Sequence, residues 1–178
     1  MFKLLILDVD GVLTTGKKFY SLEGETISKT FNDRDFTAIK QFMCSGIDVI
    51  FLSGDTQVNK SVAEKRCIPF FYSRRSTGKL SKADCAKEIF SKFKVRNTEV
   101  IFVGDDLFDL EMREFAKFMA CPSNAHYLLK EKCDLILNNE SGNGCVQELF
   151  EYFVKNKIIT APTISEVINR DSQEQVKY

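Results

Sequence analysis

Short apolar runs alternate with helix-patterned stretches along almost the whole chain, and few folds accommodate that alternation. Residues 4–7, 48–52, 69–72, 100–103, 118–120 and 134–137 read as strands. Between them 36–45, 57–65, 81–93, 107–115 and 125–130 read as helices, and 145–156 closes the series. Strands that are apolar throughout and spaced by helices belong to a parallel sheet covered on both faces. The expected fold class is therefore α/β, a Rossmann-like parallel sheet with helices on both faces. In such sheets ligands bind beyond the carboxyl ends of the strands.

One stretch departs from the pattern. Residues 17–20 and 26–31 alternate polar and apolar around Leu22-Glu23-Gly24, the signature of a β-hairpin. This small flap, about 17–31, follows the first strand, where a projection could reach over a site. Residues 157–178 are polar and weakly patterned, a loose tail or a docking arm behind a domain spanning 1–156. A chain of 178 residues fits one domain and buries roughly 70% of its unfolded surface.

Charge and cysteine usage narrow the function. Lys and Arg number 25, as do Asp and Glu, so no broad basic surface marks nucleic acid or anionic membrane as a partner. The N-terminal apolar run ends at Asp8, too early for a signal peptide or a membrane span. Six cysteines lack CxxC spacing and His126 is the single histidine, which argues against a zinc cluster and a disulfide scaffold. Free thiols fit a reducing compartment, and the expected location is cytoplasmic.

Four polar clusters fall where the chemistry is expected. The first strand runs into Asp8-Val9-Asp10-Gly11, whose two carboxylates repel unless a cation or shared proton offsets them. A hard, oxygen-liganded cation such as Mg²⁺ answers that need. The second strand ends in Ser53-Gly54-Asp55 ahead of a helix, a cradle for an anion or a turn and helix cap. The fourth ends in Gly104-Asp105-Asp106-Leu107-Phe108-Asp109. Between them lies Ser76-Thr77-Gly78-Lys79-Leu80-Ser81-Lys82, which lacks the glycine spacing of a Walker A loop. Lys82 opens a helix, where the macrodipole disfavours a cation unless carboxylates lie near. Lys79 is the alternative. Each cluster alone is compatible with a turn or cap; the ordered set is not explained that way.

That ordered set resembles the haloacid dehalogenase-like phosphohydrolases over residues 4–156. The hairpin, Phe31-Asn32-Asp33-Arg34-Asp35, GDDLFD and SGNGCVQEL are similar to the small-cap subfamily of 3-deoxy-octulosonate 8-phosphate (KDO-8-phosphate) phosphatases. Relatives acting on nine-carbon ulosonate 9-phosphates, and the phosphatase domain fused to some acylneuraminate cytidylyltransferases, share the subfamily. The order of the motifs departs from that of phospho-accepting receiver domains.

The resemblance implies a Mg²⁺-dependent phosphomonoesterase with Asp8 as nucleophile and Asp10 as acid and base. Mg²⁺ would take Asp8, Asp105 and the backbone carbonyl of Asp10. Ser53 and Lys82 would hold phosphate, with Asp109 and Asp106 supporting them. Asn32, Arg34, Asp35, Gly54 and Asp55 would contact a sugar-acid phosphate, and Arg34 would meet its carboxylate. Asp55 stands where eight-carbon enzymes carry arginine, which favours nine-carbon substrates unless Asp55 only caps its helix. A homotetramer is implied, its hairpins and tails completing neighbouring sites and Phe19 and Tyr20 serving the contact. A cytidylyltransferase is a possible pathway partner. The alternative is a non-catalytic domain that organises such a partner or an oligomer.

Overall fold

A computed structural model describes residues 1–74 and 81–175. Six parallel strands form one sheet, in the order β5 (Phe70–Tyr72), β4 (Asp48–Ser53), β1 (Leu4–Leu7), β6 (Val100–Val103), β7 (Phe118–Cys121) and β8 (Leu135–Ile136). β1 lies at the centre, in register from Leu4 to Leu7 with Asp48 to Phe51 on one side and Val100 to Val103 on the other.

Successive strand residues face opposite ways, so β1 feeds two cores. Leu5 and Leu7 meet Phe36, Phe42, Phe150 and Phe153 from α1 (Asp33–Cys44) and α5 (Cys145–Lys155). Leu4 and Ile6 meet Cys85, Ala86 and Ile89 of α3 (Lys82–Phe93), with Met112 and Leu129. Both faces are covered, which is why the strands are apolar without alternation. The hairpin is the antiparallel pair β2 (Phe19–Tyr20) and β3 (Thr26–Ser28), shorter than its sequence pattern and irregular between Phe19 and Tyr20.

Three boundaries differ from expectation for local reasons. α1 begins early because the Asn32 side chain accepts the Arg34 N–H at 3.0 Å and so caps it. The stretch Leu107–Glu114 is a 3-10 helix, its start capped by Asp106 and Asp109 rather than by a regular α turn. The stretch expected as helix over 125–130 contributes only α4 (Tyr127–Lys130), with His126 as its cap.

The polar C-terminal segment is not a loose tail over its described residues. It forms α6 (Ile164–Asp171), opened by a capping box between Thr163 and Glu166, and packs against α1. Behind it Glu174 lies between Lys40 (3.4 Å) and Arg66 (2.9 Å), and Asp171 reaches Lys40 at 2.5 Å. None of the described helices is long and apolar enough to cross a membrane.

Candidate active site

The site forms where β1, β4 and β6 end, around a cavity of about 690 Å³. After β1 the chain turns tightly: the Val9 carbonyl accepts N–H groups from Leu13 and Thr14 at 3.0 Å. Gly11 has φ +90°, and a Cβ there would fall 1.9 Å from Asp105 Oδ2. That close approach needs glycine and brings Asp105 against the Asp8–Asp10 turn.

Lys82 decides the electrostatics. Its N-cap, Ser81, starts α3 at the cavity, and the buried ammonium donates to Asp109 and lies 3.2 Å from Asp8 Oδ2. Burial pulls its pKa down, yet Asp109 and Asp8 outweigh burial and hold it above the ordinary lysine range. Asp109 is itself fully buried, and its other oxygen accepts the N–H groups of Asp105 (2.8 Å) and Asp106 (3.0 Å). A Cβ at Gly104 would lie 2.4 Å from Asp109 Cγ, so glycine leaves room for that brace.

Carboxyl oxygens of Asp8, Asp105 and Asp109 gather within 4.8 Å of one another. Burial raises Asp8 to about 7, partly opposed by Lys82, and raises Asp105 to about 9, helped by Asp8 and Asp109. Asp105 Oδ1 is buried without a hydrogen-bond partner. An orphaned oxygen beside mutually repelling carboxylates, all hard donors, fits a divalent cation such as Mg²⁺. Asp109 is committed to Lys82 and two N–H groups, so the carboxylates that could hold such a cation are Asp105, with its unpartnered oxygen, and Asp8 beside it.

At the end of β4, Ser53 Oγ accepts from the Asp55 N–H (3.2 Å) and Asn59 Nδ2 (3.0 Å). Its own proton is then free to donate to an anion. Asp10 is held from below by Thr14 Oγ1 at 3.3 Å and from the side by Lys29 at 2.8 Å and Asn59 at 3.1 Å.

The structure brings Asp8, Asp10, Ser53, Gly54, Asp55, Lys82, Asp105, Asp106 and Asp109 to one cavity. Asn32, Arg34 and Asp35 are not brought there. Asn32 caps α1, Arg34 is exposed at the start of α1, and Asp35 is fully buried with its carboxylate on the Gly144, Val146 and Gln147 N–H groups of α5. Asp55 does accept the Gln57 N–H at 3.0 Å, but it also takes two lysines, Lys18 at 2.8 Å and Lys29 at 3.0 Å. Lys79 lies outside the described residues, as do Ser76, Thr77, Gly78 and Leu80.

Sequence reasoning missed Lys18, Lys29, Asn59 and Arg74. Hairpin lysines read as solvated charges, and their partners are distant in sequence. Arg74, Lys18 and Tyr20 line the outer cavity with Tyr72 and Phe108, a mixed cationic and aromatic rim.

Comparison with known proteins agrees with this geometry. The sequence profile of the haloacid dehalogenase-like hydrolases matches residues 76–149. The 3-deoxy-D-manno-octulosonate 8-phosphate phosphatase of Escherichia coli is 31% identical over 147 residues, 83% of this chain and 76% of that protein. The cobalt-bound structure of the Haemophilus influenzae enzyme superposes with a TM-score of 0.78 at 29% identity, covering 86% of this chain and 88% of that one. The Moraxella catarrhalis enzyme, solved with magnesium, phosphate and a KDO molecule, gives 0.77 at 26% identity and 86% coverage of each chain. With a sheet, acidic cluster and buried lysine of this arrangement, the chain belongs to the haloacid dehalogenase-like phosphatases.

Proposed function

We propose that this chain is a Mg²⁺-dependent phosphomonoesterase that hydrolyses a 3-deoxy-ulosonate phosphate through an aspartyl phosphate on Asp8. The supporting observation is the buried Lys82 between Asp8 and Asp109, beside the unpartnered oxygen of Asp105. A carboxylate so placed meets a phosphate dianion only if cations offset their repulsion. Lys82 is one such cation. Mg²⁺ held by Asp8, Asp105 and the Asp10 carbonyl would supply the remaining neutralisation.

Asp8 attacks phosphorus while Asp10 delivers a proton to the departing sugar oxygen, and the ester P–O bond breaks. Asp10, now ionised, takes a proton from water as that water attacks the aspartyl phosphate. Inorganic phosphate leaves and both carboxylates return to their starting forms. Ser53 and Lys82 bind the non-bridging oxygens where charge accumulates.

The relatives named for the eight-carbon sugar acid favour KDO 8-phosphate as substrate. Arg74 and Lys18 on the rim supply charge for its carboxylate, the part first assigned to Arg34. An acid at Asp55 supports the second reading, a nine-carbon ulosonate 9-phosphate. Exposed Phe19, Tyr20, Leu22 and Ile27 on the hairpin support association into a tetramer that closes the open cavity. The test is phosphate release with Mg²⁺ from KDO 8-phosphate, a nine-carbon ulosonate 9-phosphate and simple hexose phosphates. Preference for a hexose phosphate, or release independent of Mg²⁺, would sink the reading.

A further inference from the structure

Two lysines of the hairpin region and two acids of the site form a four-charge ring. Lys29 lies 2.8 Å from Asp10 Oδ2 and 3.0 Å from Asp55 Oδ2, while Lys18 lies 3.3 Å and 2.8 Å from the same two oxygens. The two cations are not equivalent. Lys18 keeps 21% of its side chain exposed and lines the cavity; Lys29 keeps none and does not line it.

A fully buried ammonium is tolerated only when its protons are satisfied and its charge is matched. Lys29 meets both conditions, with three protons for three acceptors: Asp10 Oδ2, Asp55 Oδ2 and, at 2.8 Å, Asn59 Oδ1. Asn59, also fully buried, donates to Asp10 Oδ2 at 3.1 Å and to Ser53 Oγ at 3.0 Å. One oxygen of Asp10 is thereby saturated. The other, Oδ1, has a single longer contact with the Thr14 hydroxyl at 3.3 Å. Thr14 Oγ1 accepts the Gly11 and Gly16 N–H groups, so its proton points to Asp10.

We propose that Lys29 is a positioning residue for the acid–base step: with Asn59 it fixes Asp10 Oδ2, leaves Oδ1 the less engaged oxygen, and ties that carboxylate to the hairpin. Asp55 is the counter-ion that makes the buried lysine possible, which gives this acid a role besides capping its helix. The inference rests on the phosphomonoesterase reading above, with Asp10 as its acid.

The test uses leaving groups of different basicity. A sugar phosphate has a basic leaving oxygen that needs a proton; p-nitrophenyl phosphate has a leaving group that departs with little help. Lys29→Met should lower kcat/KM on KDO 8-phosphate by about 100-fold or more, the scale of a general acid, and on p-nitrophenyl phosphate by less than about tenfold. Lys29→Arg, which keeps a buried cation, should recover much of the loss. Should Lys29→Met fail to fold, Lys29→Gln carries the test, with the same dependence on the ester at smaller size. Equal losses on both esters would overturn the positioning role alone. A wild-type chain that releases phosphate from neither ester would overturn the phosphatase reading and this inference with it.

Discussion

The ammonium of Lys82 lies 3.2 Å from Asp8 Oδ2 and donates to Asp109, which holds it there. A lysine at the first turn of a helix works against the helix dipole, so two carboxylates are needed to keep it in place. One of them is the nucleophile of the proposed reaction. In the proposed reaction the same ion pair would hold the lysine ready for the oxygens of an incoming phosphate.

Lys82→Met should therefore abolish turnover and destabilise the metal-free protein. Removing one partner of a buried pair costs about 3–5 kcal/mol, here through three acidic groups left facing each other. Chemical unfolding with and without Mg²⁺ checks this: the cation should restore part of the stability and none of the activity. A fully active variant would end the assignment.

Asp8→Asn should fold normally and release no phosphate, because an amide cannot attack phosphorus. Asp10→Asn should retain roughly 10⁻² to 10⁻⁴ of the wild-type rate, the usual cost of losing a general acid. Steady-state phosphate release beside a melting curve separates chemistry from folding. Turnover of Asp8→Asn near the wild-type rate would remove the covalent route.

Proton and metal compete for Asp8 and Asp105. Burial holds these carboxyls up at about 7 and about 9, above the ordinary 3.8 of an unfolded aspartate. A raised carboxyl adds stability below its unfolded value, and this contribution is lost as pH rises through the folded values. The metal-free protein should lose stability from this pair as pH rises from about 4 to about 9, and Mg²⁺ should offset the loss. The Mg²⁺-induced rise in Tm is thus expected to be larger at alkaline than at mildly acidic pH. An equal rise at both would contradict the site.

Asp35→Ala would strip the acceptor from three N–H groups, those of Gly144, Val146 and Gln147. Leaving a buried donor unpaired costs about 1–3 kcal/mol, and the shared acceptor makes the expected total about 2–4 kcal/mol in urea unfolding. A rise in KM with unchanged stability would instead assign Asp35 to the substrate.

Leu22 is fully exposed at the hairpin tip, near exposed Phe19 and Tyr20. If the flaps associate, Leu22→Asp together with Phe19→Asp should dissociate the oligomer and reduce activity. Light scattering at micromolar concentration reads the first effect. A wild-type monomer with full activity would dismiss the tetramer.

Much was legible in the chain because the signals were local. Apolar runs and helical periodicity located the strands closely, and β1 at Leu4–Leu7 and β6 at Val100–Val103 coincide with their patterns. Acid clusters at strand ends announced Asp8, Asp10 and Asp105, since a parallel sheet aligns those ends. Family spacing to Val103-Gly104-Asp105 and a place at a helix start chose Lys82 over Lys79; Lys82 lies beside Asp8, and Lys79 is outside the described residues. The capping box of Thr163 and Glu166 was also written in the sequence, although the polar composition around it obscured the helix.

What the fold alone decided were partnerships between distant residues. Asp10 finds Lys29 19 positions on and Asn59 49 positions on, and Asp35 turns to N–H groups more than 100 residues away rather than to the cavity. A charged side chain carries no local mark of whether it ends in water or between two carboxylates. By itself the sequence determined the sheet and the residues at its carboxyl edge, because hydrophobic period and strand direction act over a few residues. Only the tertiary structure decided which charges share a buried space, because that depends on burial and on loops packed together from far along the chain.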